Sequence, residues 1–222
     1  MNTRAYLGEL LGTFLFMMIG YASISAVGVT DPPITGLVVV PFGFGLGLMA
    51  AIYAFGHLSG GHYNPAVTIA MILDKRTTPA DGVAYIIAQI IGAIGAAAVI
   101  LVTISQDAVA AGISAPGPGV TEIGALILET VFTAIFLVVI LTVSKRSPGM
   151  AAIAIPLTLV AIHFAIATTS GSSVNPARSI GSAVIGGDLS SLWIYLIGPT
   201  IGGIIGYGIY KVTGADDEEA SA

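Results

Sequence analysis

The chain has 222 residues with a formal net charge of −5 at pH 7, and 55% of its residues are hydrophobic while only 9% are charged. A soluble domain has roughly a quarter of its residues charged, so this composition excludes an ordinary soluble protein and indicates an integral membrane protein. The sequence has no cysteine, which excludes disulfides and thiol chemistry, and it has too few basic residues for a nucleic-acid-binding protein.

Six apolar segments are long enough to cross a bilayer as helices, since about 20 residues span its hydrocarbon core. They lie at approximately 5–27, 35–57, 83–104, 121–143, 150–169 and 191–211. Two shorter apolar segments follow the second and fifth spans, at 64–73 and 175–185. Each of these has about 10 residues, half of what a membrane crossing needs. The sequence therefore predicts an all-α membrane protein with six transmembrane helices and two re-entrant half-helices.

The charges predict how the spans are oriented. Every lysine and arginine except Arg178 falls on one side of this layout, whereas the opposite loops carry acidic residues and no basic one. By the positive-inside rule the basic side is cytoplasmic, which predicts a multi-pass protein of the cell membrane with both termini in the cytoplasm. The basic residues are Arg4, Lys75, Arg76, Lys145, Arg146 and Lys211, and the acidic residues opposite them are Asp31, Asp107 and Asp188.

One short motif occurs twice, at 59–66 and at 170–177, as S-G-x-x-x-N-P-A. Asn-Pro is typical of a helix start, because asparagine caps the first turn and proline at the first position gives up an amide that has no partner there. Non-helical backbone at membrane depth is tolerated only where it is buried in protein or lines a wet cavity. Such interruptions at matching positions of two halves indicate a transport site.

The two halves of the chain also resemble each other outside the motif. Glu9-x-x-x-Thr13 in the first span corresponds to Glu129-x-x-x-Thr133 in the fourth. Because each half has three spans, the second half enters from the opposite face, and the half-helices should meet N-terminus to N-terminus near the midplane. The prediction is a single integral domain, 1–222, with inverted repeats at approximately 1–108 and 119–213 and an acidic tail at 214–222.

With two such motifs, each at the head of a half-length apolar helix, the chain resembles the aquaporins of the major intrinsic protein family. The stretches SGGHYNPAVT at 59–68 and SVNPARS at 173–179 are similar to that family's signatures, and the resemblance covers nearly the whole chain. It implies a channel rather than an enzyme, with a pore in each protomer of a homotetramer surrounded by membrane lipid. It also implies single-file conduction of water without a cofactor, selective against protons and ions.

The asparagines of the two motifs are the first candidate pore residues. If the amide oxygens of Asn64 and Asn175 cap local backbone, their NH2 groups point into the pore and donate to passing water. The two half-helix N-termini add positive partial charge at the same place. This arrangement orients water and repels hydronium, as described generally for aquaporin-type channels. The alternative is that both asparagines are helix caps without a role in transport.

Four further residues are predicted to form a constriction outside the asparagine layer. At 1.5 Å per residue, Phe44 and His163 both lie roughly 9–14 Å deep from the outer side. Arg178 and Ser172 each lie three residues from Asn175, on either side of it. In the resemblance these four match the family's aromatic/arginine constriction, where the serine contributes its backbone carbonyl and small size. The alternatives are core positions for the two rings and pairing of the arginine with backbone carbonyls.

Two carboxyl groups within the spans need a separate explanation. In the family, glutamates such as Glu9 and Glu129 brace the re-entrant loops by accepting backbone N–H bonds, and the alternative is a proton relay. His62 is expected to line the inner mouth of the pore. The sequence contains no cluster of His, Cys or carboxylates with metal-ligand spacing, so we expect no metal site.

The constriction residues also predict the permeant. A histidine and an arginine make a narrow, polar passage that suits water. Glycerol-conducting relatives carry a second aromatic at the position of Ser172, a small residue at that of His163, and aspartate after the arginine, where this chain has Ser179. The alternatives are a channel for glycerol or other small neutral solutes and, in another class, a secondary transporter coupled through Glu9 and Glu129. An intramembrane enzyme would need a nucleophile–base pair, which the sequence does not offer.

Overall fold

The computed structural model describes residues 2–28 and 36–214, which form nine helices and no strand. The long helices are α1 (Thr3–Gly28), α2 (Gly36–Ser59), α4 (Pro79–Thr103), α6 (Glu122–Arg146), α7 (Pro148–Ser170) and α9 (Leu192–Val212). The short helices are α3 (Pro65–Leu73), α5 (Gln106–Ala110) and α8 (Pro176–Gly186).

Among the described residues, six helices are long and apolar enough to cross a membrane. They confirm the predicted fold class, and the chain is a multi-pass membrane protein. Boundaries differ by a few residues where polar groups extend a helix beyond its apolar stretch. α4, for example, begins at Pro79 rather than at residue 83, because the Thr78 hydroxyl accepts a hydrogen bond from Asp81 N at 3.1 Å and caps the first turn.

The helix α5 is absent from the sequence-based prediction. Its five residues are too few to show an apolar period, and it begins where Ser105 Oγ accepts a hydrogen bond from Ala108 N at 3.1 Å. α5 packs against α8 and α4. It therefore directs the connection between α4 and α6 over the second half-helix.

The half-helices α3 and α8 begin at the prolines of the two motifs. Asn64 and Asn175 are their N-caps, with extended backbone at φ −159° and −153°. The descending segment before α8 starts at Gly171, where φ is 79° and a side chain would be strained. Both apolar interruptions are thus built as a helix end, a short irregular segment and a capped helix start.

The packing of the two halves is matched. α1 packs against α2 and α4, and α6 packs against α7 and α9. Each half-helix packs mainly on a long helix of the other half, α3 on α9 and α8 on α4. These contacts agree with a repeat, while the limits at 1–108 and 119–213 stay a prediction. The predicted acidic tail at 214–222 lies outside the described residues except for Gly214.

Close contact between long helices depends on glycine at two matched positions. A Cβ atom on Gly92 of α4 would meet the carbonyl oxygen of Leu10 in α1, and one on Gly202 of α9 would meet the carbonyl oxygen of Thr130 in α6. Backbone atoms of a packed helix cannot move aside as a flexible side chain can. Small residues at these crossings therefore let the helices approach closely, which is a main source of helix association in lipid.

We expect Gly202→Ala to destabilise the protein, because the added methyl group separates α9 from α6. Overpacking of this kind costs typically about 1–3 kcal/mol. Thermal unfolding in detergent, followed by circular dichroism, measures the effect. Gly208→Ala on the same helix is the matched control, since a Cβ atom there has no heavy atom within 4 Å. Equal melting temperatures for the two variants would contradict the importance of this contact.

Candidate functional site

A cavity runs between the long helices and past the N-termini of both half-helices. Its wall is largely apolar, with side chains such as Leu48 and Leu159. Ser172 is not among the lining residues, while its neighbours Ser173 and Val174 are. The predicted pore residues that line the cavity are Phe44, His62, Asn64, His163, Asn175 and Arg178.

The two motif asparagines are joined across the contact of the half-helices. Asn64 Nδ2 donates to the carbonyl of Val174 at 2.8 Å, and Asn175 Nδ2 donates to the carbonyl of Tyr63 at 2.9 Å. The amide oxygens accept from backbone N–H groups of their own first turns, Oδ1 of Asn64 from Ala66 at 2.9 Å. Each NH2 group has two hydrogens and uses one in this exchange. No described hydrogen bond uses the second, which can bind a molecule in the cavity.

This exchange also fixes the electrostatics of the site. It holds α3 and α8 with their N-termini together, so the positive ends of both helix dipoles are directed at the same part of the cavity. The carbonyls that accept belong to Tyr63 (φ 48°) and Val174 (φ 44°), both in the left-handed region. That conformation is unfavourable for a β-branched residue such as valine. It persists here because the surrounding hydrogen bonds hold it.

Glu9 holds the first of these strained segments. Its carboxylate accepts from His62 N at 2.9 Å, Tyr63 N at 2.7 Å and Ser59 Oγ at 2.6 Å. Gln89 Nε2 donates to it at 2.7 Å. The side chain is fully buried. Since backbone N–H groups only donate, the carboxylate here acts as an acceptor for the irregular backbone.

Glu129 does the same for the second segment. It accepts from Ser173 N at 2.9 Å, Val174 N at 2.7 Å and Ser170 Oγ at 2.8 Å, and it is also fully buried. Both carboxylates therefore satisfy the N–H groups that the interrupted helices leave unpaired. This geometry is the one that the bracing hypothesis requires.

Phe44, His163 and Arg178 meet at one level of the cavity. The Phe44 and His163 rings are stacked with centroids 4.9 Å apart at an interplanar angle of 22°. Arg178 Cζ lies 5.3 Å from the Phe44 ring centroid, within cation–π range. A Cβ atom on Gly20 would lie 2.5 Å from the Phe44 ring, so α1 admits this ring only because glycine stands there. Ser172 is also fully buried, with its side chain outside the cavity wall.

The hydrogen bonding of His163 assigns its ring nitrogens. Nδ1 lies 3.0 Å from the carbonyl oxygen of Leu159, which can only accept, so Nδ1 carries the proton. Nε2 is buried and has no hydrogen-bond partner among the described residues. A second cation beside Arg178 is unfavourable in this apolar setting, which favours the neutral ring. Nε2 is therefore an unprotonated acceptor on a ring that lines the cavity.

Arg178 is held from outside the cavity while it lines the wall. Its Nη1 donates to the carbonyl oxygen of Gly112 at 2.7 Å and to Ser114 Oγ. Its own carbonyl accepts from Tyr21 OH at 2.6 Å. Nε is buried without a hydrogen-bond partner among the described residues. Arg178 thus pairs with a backbone carbonyl and also lines the cavity. A structural role and a role in the pore are therefore compatible for this residue.

The residues that bind Arg178 were not predicted from the sequence. Gly112 and Ser114 lie in a connection without an apolar period, and Tyr21 lies in the middle of a span. The available signal is indirect, because a buried arginine must find acceptors and no acidic residue stands near Arg178 in the sequence. The small polar residues after α5 are the ones that supply them.

His62 lies in the segment between α2 and α3 and lines the cavity, while its place at the inner mouth stays a prediction. It is buried, its Nδ1 lies 3.1 Å from Thr68 Oγ1, and its ring packs edge-on against Tyr85 at 5.2 Å. Within the described residues, no group of three His, Cys, Asp or Glu side chains could hold a metal ion.

The chain is similar to known proteins over nearly its whole length. The family model described as "Major intrinsic protein" matches residues 1–210. "Glycerol uptake facilitator protein-like 6" of Lactiplantibacillus plantarum is 40% identical over 225 residues, covering 96% of this chain and 100% of that protein. "Aquaporin Z" of Photorhabdus laumondii is also 40% identical, over 97% of this chain and 99% of that protein. Human "Aquaporin-4" is 35% identical, over 97% of this chain and 69% of its own length.

Among solved structures, the aquaglyceroporin from Plasmodium falciparum has a TM-score of 0.88 to this chain. The two are 23% identical, and the match covers 97% of this chain and 99% of the other. The likeness confirms the fold that the sequence predicts.

We expect Glu129→Gln to destabilise the protein less than Glu129→Ala. Glutamine keeps one oxygen for the loop but places an NH2 group against a backbone donor, whereas alanine removes every acceptor. An unsatisfied buried donor costs about 1–3 kcal/mol. Melting temperatures in detergent test the order, with Glu122→Ala, an exposed glutamate on the same helix, as control. A melting temperature for Glu129→Ala equal to wild type would show that the brace is dispensable.

Proposed function

Because the chain belongs to the major intrinsic protein family, whose members are membrane channels rather than enzymes, we propose that it is a passive water channel. Water crosses in single file through a pore in each protomer, and protons and ions are excluded. The observation that carries the proposal is the contact of Phe44, His163 and Arg178 in one cavity. Water and membrane lipid are its small-molecule partners.

The polar groups of this constriction suit water. His163 Nε2 is an acceptor, and Nε of the Arg178 guanidinium is a donor without a partner among the described residues. A water molecule can donate to the first and accept from the second, which replaces part of its hydration shell. The stacked Phe44 ring keeps the imidazole of His163 in place and is itself apolar, so it offers no hydrogen bond to a permeant. A bulkier polyol must pass the same two rings.

Exclusion of protons and cations has two sources in this geometry. The half-helix N-termini place positive partial charge beside Asn64 and Asn175. Arg178 adds a full positive charge where screening by water is weak. Exclusion by an arginine and by half-helix dipoles is the scheme described generally for aquaporin-type channels.

A glycerol channel is the second candidate, because one relative is called "Glycerol uptake facilitator protein-like 6" at 40% identity. The residues of the constriction argue for water, since His163 is large and Ser172 and Ser179 stand where glycerol-conducting relatives are expected to carry an aromatic and an aspartate. A secondary transporter is disfavoured, because the carboxylates of Glu9 and Glu129 are already occupied by backbone donors.

The proposed location is the cell membrane, with both termini in the cytoplasm. Arg76 in the α3–α4 connection donates to the Leu141 carbonyl at 3.1 Å and to Tyr210 OH at 2.9 Å. These acceptors lie near the C-terminal ends of α6 and α9, so the basic residues Lys145 and Lys211 lie on the same face as Arg76. This grouping supports the predicted orientation. A homotetramer is proposed from the family alone.

We expect proteoliposomes that contain the protein to shrink rapidly in a sucrose gradient, and to re-swell slowly when glycerol replaces sucrose. Stopped-flow light scattering measures both rates. In His163→Gly combined with Phe44→Trp the passage loses the imidazole, so glycerol permeability should rise on the order of tenfold, equivalent to about 1.4 kcal/mol. Wild-type glycerol entry as fast as water exit would overturn the proposed selectivity.

We expect Arg178→Val to increase voltage-driven proton conductance per channel while water permeability falls only modestly. The fixed positive charge is lost, but the half-helix dipoles remain, so exclusion weakens without collapsing. Conductance and water flux are compared in liposomes at matched protein density. Lys145→Val, which removes an exposed positive charge distant from the constriction, serves as control. Unchanged conductance together with unchanged water flux would place Arg178 outside the conducting path.

A further inference from the structure

Three buried serine hydroxyls connect the guanidinium of Arg178 to the backbone of Asn175. Ser114 Oγ accepts from Arg178 Nη1 and lies 2.8 Å from Ser179 Oγ. Ser179 Oγ lies 2.6 Å from Ser173 Oγ, which lies 2.9 Å from the carbonyl oxygen of Asn175. All three side chains are at most 3% exposed. We call Ser114, Ser179 and Ser173 the serine chain.

The direction of each hydrogen bond follows from counting protons. Each hydroxyl has one proton, and a guanidinium can only donate. If Ser173 gives its proton to the Asn175 carbonyl, Ser179 must donate to Ser173, and Ser114 must donate to Ser179. The reverse direction would leave the Ser114 proton without an acceptor among its described hydrogen bonds. One arrangement therefore satisfies every hydroxyl.

In that arrangement every hydroxyl turns its oxygen toward the cation and its proton away from it. The chain starts at the charged side chain of Arg178 and ends at the carbonyl of the asparagine that caps α8. Hydrogen bonds that point the same way polarise one another, and a charged donor at one end strengthens the series. The serine chain thus links the constriction to the asparagine layer.

We propose that the serine chain positions Arg178, so that Ser114 and Ser179 act on selectivity through the guanidinium although neither lines the cavity. The proposal rests on the proposed role of Arg178 in the constriction. Nη1 is fixed by Gly112 and Ser114, which leaves the remaining guanidinium donors for the permeant. A guanidinium that loses the Ser114 contact keeps only the Gly112 carbonyl at Nη1, so it can shift and change the width of the passage beside His163 and Phe44.

Position 179 needs a group that both accepts and donates. Alanine does neither, so it leaves the proton of Ser114 without its acceptor. Aspartate only accepts, so it draws the proton of Ser173 away from the Asn175 carbonyl. Threonine keeps the hydroxyl.

The test is the ratio of glycerol to water permeability, measured by stopped flow in proteoliposomes. Ser114→Ala removes a hydrogen bond to a charged group and should raise the ratio on the order of tenfold. Ser179→Ala should raise it as well, because it removes the acceptor of the Ser114 proton. Because both substitutions break the same serine chain, the permeability ratio of the double variant should not exceed that of either single variant by more than the experimental error. Ser114→Thr should keep the wild-type ratio, whereas Ser114→Val, of the same shape without a hydroxyl, should not.

Ser182→Ala is the matched control. Ser182 is 1% exposed on the same half-helix as Ser179, and its hydroxyl donates to the backbone carbonyls of Arg178 at 3.3 Å and Ser179 at 3.4 Å. It lies outside the serine chain, so the ratio should stay at the wild-type value. If Ser179→Ala does not assemble, the Ser114 variants in the α5–α6 connection carry the test.

The outcomes separate this inference from the proposed function. If the wild-type protein conducts glycerol as readily as water, the proposed function is wrong. A selective wild type whose ratio is unchanged in folded Ser114→Ala and Ser179→Ala overturns the serine chain alone. If the double variant changes the permeability ratio by the product of the two single changes, the serine chain is also overturned, because the two contacts then act independently. Equal ratios for Ser114→Thr and Ser114→Val reduce the role of Ser114 to packing, which also overturns it.

Discussion

The irregular segments 60–64 and 171–175 carry backbone N–H and C=O groups at a depth where lipid can satisfy none of them. The fold depends on how these groups are paired. Two buried carboxylates, Glu9 and Glu129, accept the N–H groups, and the side-chain amides of Asn64 and Asn175 take a carbonyl from the opposite segment. Because each asparagine completes the other half's segment, neither interruption is satisfied alone. The cavity therefore exists only where both halves meet.

The same constraint explains why a cation can be buried in this molecule. Arg178 follows a capped helix start, and its guanidinium finds its acceptors in the connection after α5 rather than in an acidic side chain. A carboxylate partner would cancel the positive charge and would occupy the donors in pairs. Neutral acceptors bind the guanidinium without cancelling its positive charge, and Nε has no hydrogen-bond partner among the described residues. Such a group can still bind a neutral, polar permeant.

Local patterns in the sequence predicted the six spans and the two half-helices but not α5, and six of the seven predicted pore residues line the cavity. Span lengths, the two Asn-Pro starts and the depth of Phe44 and His163 follow from apolar length and helical rise, and the structure brings these two rings into contact. Contacts made through irregular backbone were not predictable in this way. Ser172, for which the resemblance implies a role of the backbone carbonyl, is not among the residues that line the cavity, and Ser114 supports Arg178 from a connection that has no periodic signal. Proximity there is set by tertiary packing of α5 on α8.

The distribution of charge around the cavity follows from these placements. The two half-helix N-termini and Arg178 all present positive character to the cavity. The compensating carboxylates of Glu9 and Glu129 are fully buried behind the irregular segments, and neither lines the cavity. A cation entering the cavity therefore meets the positive ends directly, while the negative charges that would attract it are already turned toward backbone N–H groups. The groups that stabilise the interrupted helices and the groups proposed to repel ions are thus parts of one hydrogen-bonded arrangement, so the backbone interruption and the proposed selectivity have a common physical origin.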